Sequence, residues 1–179
     1  VVSPDGNRVA FTGFRWTGQT YRVEELYVIG IDGSDQQTLT PKLDRSPQQL
    51  QWAPDGSGLY FTAGDQGTSN VHFASLKGNV RQVTEGIHML NLESLTKSGL
   101  AVGTLRSPHA PGDIVRFDLP SAKGLQSLTA VNEDLLAGLR LGEVEEIWYD
   151  SADGTRIQGW IVKPPDFDAK KTWPLILHI

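Results

Sequence analysis

Histidine and aspartate are the residue types in this sequence that could bind a metal ion, and their spacing argues against it. The four histidines stand far apart: His72, His88, His109 and His178. No two of them have the His-x-x-x-His spacing that places two zinc ligands on one helix face. Asp5, Asp55 and Asp153 each precede a glycine, and none belongs to an alternating Asp-x-Asp-x-Asp calcium loop. We therefore expect turn-forming aspartates and no metal site.

The sequence also lacks the signature residues of nucleophilic catalysis. It has no cysteine and no Gly-x-Ser-x-Gly motif, so no catalytic residue is assigned. Sixteen Lys and Arg against 21 Asp and Glu give a net charge of -5, without a basic run. That balance is unfavourable for binding nucleic acid or an anionic membrane surface. No apolar run reaches the roughly 18 residues that a membrane-spanning helix needs.

A repeated turn is the first element that would position any site. The segments SPDGNRVAFT from Ser3 and APDGSGLYFT from Ala53 are near copies, and TKSGLAVGT from Thr96 is a degenerate third copy. In Pro-Asp-Gly, proline presets φ, aspartate can bond to its own backbone, and glycine accepts positive φ. The residues after each turn are rich in β-branched and aromatic types, which favours strands. The pattern predicts three equivalent turns, each leading into a strand.

Two further markers repeat with the turn. Middle strands start at Leu26, Val71 and Ile114, and short closing strands end at Thr40, Thr84 and Thr129. The middle strands start 45 and then 43 residues apart, and the closing threonines lie 44 and then 45 apart. This period is typical of a four-stranded propeller blade of about 40–50 residues. The sequence therefore predicts a mainly β protein with about three propeller blades in residues 1–130.

A single blade cannot bury both of its faces without neighbours. Known propellers use about 4–8 blades, so three do not close a ring. The chain starts within two residues of a turn and ends on the apolar run Trp173–Ile179. We expect a piece of a longer protein, or self-association through exposed blade faces.

The period stops after Thr129. We expect residues 131–143 to be a linker, either with a short helix capped by Asn132 or as an irregular segment with three buried leucines. Two β-rich runs, Val144–Tyr149 and Arg156–Val162, then flank Ser-Ala-Asp-Gly, which is a hairpin pattern.

A third strand is expected after this hairpin. Pro174 starts a continuous apolar run that is typical of a strand buried on both faces. His178 lies in this run, and we expect it to be a buried structural histidine. Residues 144–179 are therefore interpreted as the start of a separate domain.

The order of these segments resembles the prolyl oligopeptidase family of serine peptidases, in its acylaminoacyl-peptidase-like and dipeptidyl-peptidase-like branches. A propeller with Pro-Asp-Gly turns leads into EEIWYDSADGTRIQGWIVKPPDFD and then KKTWPLILHI. The resemblance implies that residues 144–179 begin an α/β-hydrolase domain, whose His-Gly-Gly-Pro motif and Ser-Asp-His triad would follow Ile179. It implies hydrolysis of short peptides near the amino terminus without a cofactor, and an inactive chain in isolation.

The resemblance also draws attention to the adjacent carboxylates Glu24 and Glu25. Some dipeptidyl members of the family use acidic propeller residues to bind the amino terminus of the peptide, and paired carboxylates suit an ammonium group. The segment RVEELYVIG is equally typical of the solvated start of a strand. Trp16, in a polar loop, is a candidate for surface contact, although packing explains most tryptophans.

Two functional hypotheses remain. In the first, the propeller caps a peptidase active site and filters short peptide substrates. In the second, the chain is a non-catalytic propeller that serves as a binding scaffold. The break in the period after Thr129 favours the first hypothesis, because a plain propeller would continue with another Pro-Asp-Gly turn near residue 140. The absence of cysteine does not identify a compartment.

Overall fold

The chain is mainly β in a computed structural model, which describes residues 1–19 and 21–178. Its contacts divide it into two compact units, Val1–Val131 and Asn132–Ile179. None of the helices in the described residues is both long enough and apolar enough to cross a membrane.

The strands of the first unit are short, as expected for runs that end at turns. They are β1 (Arg8–Gly13), β2 (Glu25–Gly30), β3 (Gln37–Thr38), β4 (Gln48–Trp52), β5 (Gly58–Asp65), β6 (Thr68–Ser75), β7 (Val80–Gln82), β8 (Met89–Leu95), β9 (Leu100–Ser107), β10 (Ala110–Asp118) and β11 (Lys123–Ser127). Strands that follow each other along the chain pair antiparallel in three groups, which we call meander 1 (β1–β3), meander 2 (β4–β7) and meander 3 (β8–β11). A single parallel pairing, Ser69 with Met89, joins meanders 2 and 3.

The three repeated turns have one geometry. The N–H groups of Gly6, Gly56 and Gly99 donate to the carbonyls of Ser3, Ala53 and Thr96, at 2.9, 2.9 and 3.1 Å. All three glycines have positive φ, which other residues adopt only with strain. Asp5 and Asp55 each accept hydrogen bonds from their own turn, from the backbone N–H two residues later and from a serine hydroxyl. These aspartates therefore serve as turn residues, as the sequence predicts.

The closing threonines make the same contact in every meander. The hydroxyls of Thr40, Thr84 and Thr129 accept from the N–H groups of Leu26, Val71 and Ile114, at 2.8, 2.9 and 3.0 Å. The carbonyls of the same three middle-strand residues accept from the N–H of the residue before each threonine, at 2.8, 2.7 and 2.7 Å. We call this pair of bonds the threonine clamp. It explains why the two sequence markers share one period, because each threonine is bonded to the start of a middle strand.

Two hydrophobic clusters lie between neighbouring meanders. The first joins meanders 1 and 2 and contains Ala10, Leu26, Val28, Leu39, Trp52, Leu59, Phe61, Ala63 and Ala74. The second joins meanders 2 and 3 and contains Ala53, Tyr60, Val71, Leu90, Leu92, Ala101, Val115, Phe117 and Leu119. Successive side chains of a strand point to opposite faces, so Phe61 packs in the first cluster and Tyr60 in the second. Meander 2 is thus covered on both faces.

The second unit contains a one-turn helix and a hairpin. The predicted short helix is present as α1 (Glu133–Leu136) with Asn132 at its N-cap position, but the Asn132 side chain makes no capping hydrogen bond. The alternative prediction of buried leucines is wrong, because Leu135 and Leu139 are 69% and 53% exposed.

The predicted hairpin is present. It consists of β12 (Val144–Asp150) and β13 (Arg156–Val162), which pair antiparallel along their whole length. Its turn has the same bond as the Pro-Asp-Gly turns, from Gly154 N–H to the carbonyl of Ser151. The Asp153 carboxylate accepts from the backbone N–H of Thr155 and from the Ser151 hydroxyl, which lowers its pKa to about 2.

The predicted third strand is not formed by the described residues that follow. Residues 172–178 have no regular secondary structure, and Ile176 is 93% exposed. The prediction of a buried His178 is likewise wrong, because this side chain is exposed. A doubly buried strand needs partner strands and covering layers, and β12 and β13 pair only with each other among the described residues.

Candidate functional site

The two candidate carboxylates lie at the start of β2. The Glu25 carboxylate accepts a hydrogen bond of 2.8 Å from the Tyr27 hydroxyl, and this bond raises the pKa of Tyr27. The backbone N–H of Glu24 donates to the Ser46 hydroxyl at 3.0 Å. Both glutamates are partly exposed. Both glutamates therefore lie at the surface, and the Glu25 carboxylate is oriented by a tyrosine.

Glu25 departs from the repeat. The residue before each clamped position is Glu25 in meander 1, Asn70 in meander 2 and Asp113 in meander 3. Asn70 and Asp113 accept a hydrogen bond from the clamp threonine hydroxyl, at 3.0 and 2.8 Å. The Glu25 carboxylate is bonded to Tyr27 instead. A structural position of the repeat is thus occupied by a longer acidic side chain with a different partner.

Glu25 lines an open cavity of about 410 Å³. The wall of this cavity carries charges of both signs, with Arg22 and Lys42 beside Asp44. Thr40, Pro41 and Lys42 also line a neighbouring cavity of about 570 Å³, which reaches His72 in meander 2. The size of both cavities suits a small ligand or a short segment of peptide.

His72 of meander 2 and His88, in the segment between meanders 2 and 3, belong to a partly buried polar network. His72 Nδ1 donates to the carbonyl of Asn70 at 3.0 Å, and its ring stacks on Phe61 with centroids 5.5 Å apart. His88 Nε2 lies 3.1 Å from the Asn70 side-chain oxygen, which also accepts from Thr84. Burial lowers the pKa of both histidines. The network supports the clamp of meander 2, and the described residues contain no group of three potential metal ligands.

The aromatic residues of meander 1 form an exposed group. Phe11 and Tyr27 are paired across β1 and β2 and stack with ring centroids 5.4 Å apart. Trp16 is 70% exposed and lies 6.5 Å from the ring of Phe14. Trp16 therefore lies at the surface rather than in a cluster, and its role as a contact residue stays a prediction.

Sequence reasoning missed three residues of meander 2 that line a different cavity. Tyr60, Phe73 and Arg81 lie together there because they are register neighbours on β5, β6 and β7. Counting residues outward from the β5–β6 and β6–β7 turns would have placed these three residues opposite one another. Comparing equivalent positions in the three repeats would also have singled them out.

Solved structures with a similar fold include two peptidases and the β-propeller domain of a protease. Acylaminoacyl peptidase from Pyrococcus horikoshii matches with a TM-score of 0.71 and 20% identity, over 89% of this chain and 24% of that one. The AtxE2 isopeptidase matches with a TM-score of 0.74 and 16% identity, over 94% of this chain and 26% of that one. The β-propeller domain of a protease from Pyrococcus furiosus matches over 75% of this chain, with a TM-score of 0.56 and 20% identity, and 38% of that one is covered. These likenesses define a propeller-like fold.

Curated relatives identify the family more closely. Dipeptidyl-peptidase 5 of Porphyromonas gingivalis is 30% identical over 98% of this chain and 26% of its own length. A probable dipeptidyl-peptidase 5 of Trichophyton verrucosum is 30% identical over 100% of this chain and 25% of its own length. No protein-family model matches the chain. The chain belongs to the prolyl oligopeptidase family of peptidases, and it spans about a quarter of the length of these relatives.

Proposed function

We propose that these residues are part of a serine peptidase that releases dipeptides or acylated residues from the amino end of short peptides. The 30% identity to dipeptidyl-peptidase 5 over 98% of this chain is the observation that supports the proposal most strongly. In this proposal the propeller covers the active site and filters substrates by size. The nucleophile, its base and the orienting aspartate lie in residues outside the 179 of this chain.

The proposed architecture follows the repeat. Meanders 1 to 3 are propeller blades, residues 131–143 are a linker, and residues 144–179 begin an α/β-hydrolase domain. The threonine clamp supports equivalent blades, because each meander closes with the same two hydrogen bonds. A further blade or a second copy of the chain would cover the open face of meander 1, where Phe11 and Tyr27 are stacked.

The activity is tested on the full-length protein that contains these residues. We expect it to release p-nitroaniline from dipeptidyl substrates or from N-acetylaminoacyl substrates, and to lose this activity on labelling with a fluorophosphonate serine probe. The 179-residue chain alone should not react with the probe. Labelling of the isolated chain would contradict the placement of the nucleophile, and an inactive full-length protein would contradict the function.

Within this function we propose that Glu24 and Glu25 bind the free amino terminus of the substrate. The bond from Tyr27 holds the Glu25 carboxylate in the cavity wall, which supports the role. Charge-assisted hydrogen bonds are worth roughly 1.5–3 kcal/mol, so Glu25→Gln should raise KM for dipeptidyl substrates by about tenfold or more. N-acetylated substrates and the exposed control Glu85→Gln should show no such change.

A non-catalytic binding propeller is the second candidate. It is favoured by the fold likeness to a putative TolB of Agrobacterium tumefaciens, with a TM-score of 0.59 and 18% identity over 72% of this chain and 47% of that one. The two peptidases described above cover 89% and 94% of the chain. The wider coverage favours the peptidase, and the activity test separates the two candidates.

A further inference from the structure

A cavity of about 370 Å³ lies between meander 2 and meander 3, and it shares no lining residue with the cavity that contains Glu25. The Pro-Asp-Gly turn of meander 2 forms one side, and the turn that contains Lys97 forms another. Leu119 and Pro120 complete the wall. This volume lies within the range of small-molecule sites, about 300–1,000 Å³.

Tyr60 and Phe73 form an aromatic wall in this cavity. They face each other in the register of β5 and β6, and their ring centroids are 4.9 Å apart with the rings tilted by 48°. Tyr60 is 5% exposed and Phe73 is half-buried. Packing therefore holds both rings in place, and they form an apolar side of the cavity in which Phe73 is the more exposed of the two.

Two cations stand beside this aromatic wall. Arg81 pairs with Phe73 in the register of β6 and β7, and its guanidinium carbon lies 5.6 Å from the centroid of the Phe73 ring. Lys97 lines the cavity from the turn of meander 3. Neither cation forms an ion pair with another residue in the described part of the chain.

One acidic side chain, Asp55, also lines the cavity. Its carboxylate accepts two hydrogen bonds from Ser57, of 3.0 Å from the backbone N–H and 2.7 Å from the hydroxyl. Its charge is thus engaged by its own turn. Two cations against one such carboxylate leave the cavity with an excess of positive charge.

The aromatic and basic residues are specific to meander 2. Phe73 lies two residues after the clamped Val71, and the equivalent residues of meanders 1 and 3 are Val28 and Arg116. Arg81 lies three residues before its closing threonine, where the other meanders have glutamines, Gln37 and Gln126. The fold therefore forms twice without this combination, so closing a meander does not require it.

We propose that this cavity binds a small organic anion in which a carboxylate is joined to a flat apolar group. The apolar group packs against Tyr60 and Phe73, and the carboxylate lies between Arg81 and Lys97. Guanidinium and ammonium groups both form charge-assisted hydrogen bonds with carboxylates, and a fixed aromatic wall adds apolar contact. This site is separate from Glu24 and Glu25 and does not depend on peptidase activity.

The test compares 3-phenylpropionate with its neutral isostere 3-phenylpropanamide on the full-length protein, by saturation-transfer NMR and calorimetry. The fluorophosphonate probe is present throughout, so that a peptidase site does not contribute. We expect the acid to bind about tenfold more tightly than the amide, as hydrogen bonds to charged groups predict. The double variant Arg81→Gln/Lys97→Gln should lose this preference, and the control Arg116→Gln should keep it.

The side chains of Arg81, Lys97 and Arg116 are all exposed, so these variants should keep the fold, and circular dichroism checks this for every variant. Tyr60→Leu adds an independent variant of the aromatic wall and should weaken binding of both compounds. The proposal is overturned if the amide binds as well as the acid, if neither compound binds, or if the double variant binds the acid as the unchanged protein does.

Discussion

The hydroxyl of each closing threonine accepts from a middle-strand N–H. Two of these hydrogen bonds are buried, and the third, at Ile114, is exposed. Leu26 and Val71 are 0% exposed, whereas Ile114 is 37% exposed. Water can replace a lost acceptor only where it reaches the donor. The same contact therefore contributes differently to stability in the three meanders.

Replacing these threonines by valine keeps the shape of the side chain and removes the acceptor. We expect Thr40→Val and Thr84→Val each to lower the free energy of unfolding by about 1–3 kcal/mol, because a buried N–H loses its partner. Thr129→Val should cost clearly less. Urea unfolding measures the difference, and Thr84→Ser, which keeps the hydroxyl, is the control. Equal losses at all three positions would contradict the argument from burial.

His72 gives the stability of the first unit a dependence on pH. Burial lowers its pKa below the usual value of 6.5, while the bond to Asn70 and the nearby Asp65 act in the opposite direction. As the pH falls, His72 therefore takes up a proton in the unfolded chain at a higher pH than in the folded chain. The stabilising contribution is complete above about pH 6.5 and declines as the pH falls toward the lowered pKa.

The variant His72→Phe keeps a ring against Phe61 and removes this titration. We expect its free energy of unfolding to fall less between pH 7 and pH 5 than that of the unchanged chain, as measured by urea unfolding at each pH. Burial also lowers the pKa of His88. Part of the dependence of stability on pH should therefore remain in the His72→Phe variant. An unchanged slope in His72→Phe would contradict the argument.

At the scale of elements, close approach of backbones decides which glycines can be replaced. A Cβ atom on Gly58 would lie 2.2 Å from the carbonyl oxygen of Ala74 on the paired strand β6. Gly64 lies in the same strand, and a Cβ atom on it would be 3.7 Å from its nearest neighbour, the carbonyl oxygen of Thr68. The first contact requires the two strands to separate, and the second is an ordinary van der Waals contact.

We therefore expect Gly58→Ala to lower the free energy of unfolding by roughly 1–3 kcal/mol, the usual cost of overpacking. Gly64→Ala should change it by less, because its backbone lies outside the left-handed region and its neighbours leave room. Thermal or urea unfolding of the two variants side by side measures the contrast. If Gly64→Ala lowered the free energy of unfolding more than Gly58→Ala, the room available to the new Cβ atom would not explain stability at these positions.

The elements could be predicted from the sequence wherever local chemistry defines them. The Pro-Asp-Gly turns, the threonine period and the hairpin at 144–162 follow from residues near one another in the chain. The threonine clamp joins residues 13–15 positions apart. The period could therefore be recognised in the sequence, but the hydrogen bonds that explain it could not. The prediction of a strand from Pro174 was wrong. An apolar run forms a strand only beside partner strands, and the sequence of the run does not specify those partners.

The candidate site could be predicted less well than the fold. Glu24 and Glu25 were recognised as adjacent charges, but the role of Tyr27 in orienting Glu25 depends on a side-chain contact. The cavity between meanders 2 and 3 depends on register across three strands and on a turn of the next meander. Such long-range combinations become visible when strand register is followed from the turns or when the repeats are compared position by position.

At the scale of the whole molecule, the two units differ in how much apolar surface they bury. Both hydrophobic clusters lie in the first unit, between neighbouring meanders. No described residue of the second unit is fully buried, and its sheet has two strands. A two-stranded hairpin is only marginally stable in water by itself, so most of the folding free energy of this chain comes from the first unit.

Hydrogen exchange of the 179-residue chain tests this imbalance. We expect the amides of β5, β6 and β9 to be the slowest to exchange, because they lie in strands with a partner on each side and buried apolar side chains. The amides of β12 and β13 should exchange by local opening, orders of magnitude faster. Mass spectrometry of peptides from residues 58–75 and 144–162 measures the two rates. Equal protection of both segments would mean that the hairpin is held by a core that its own residues do not provide.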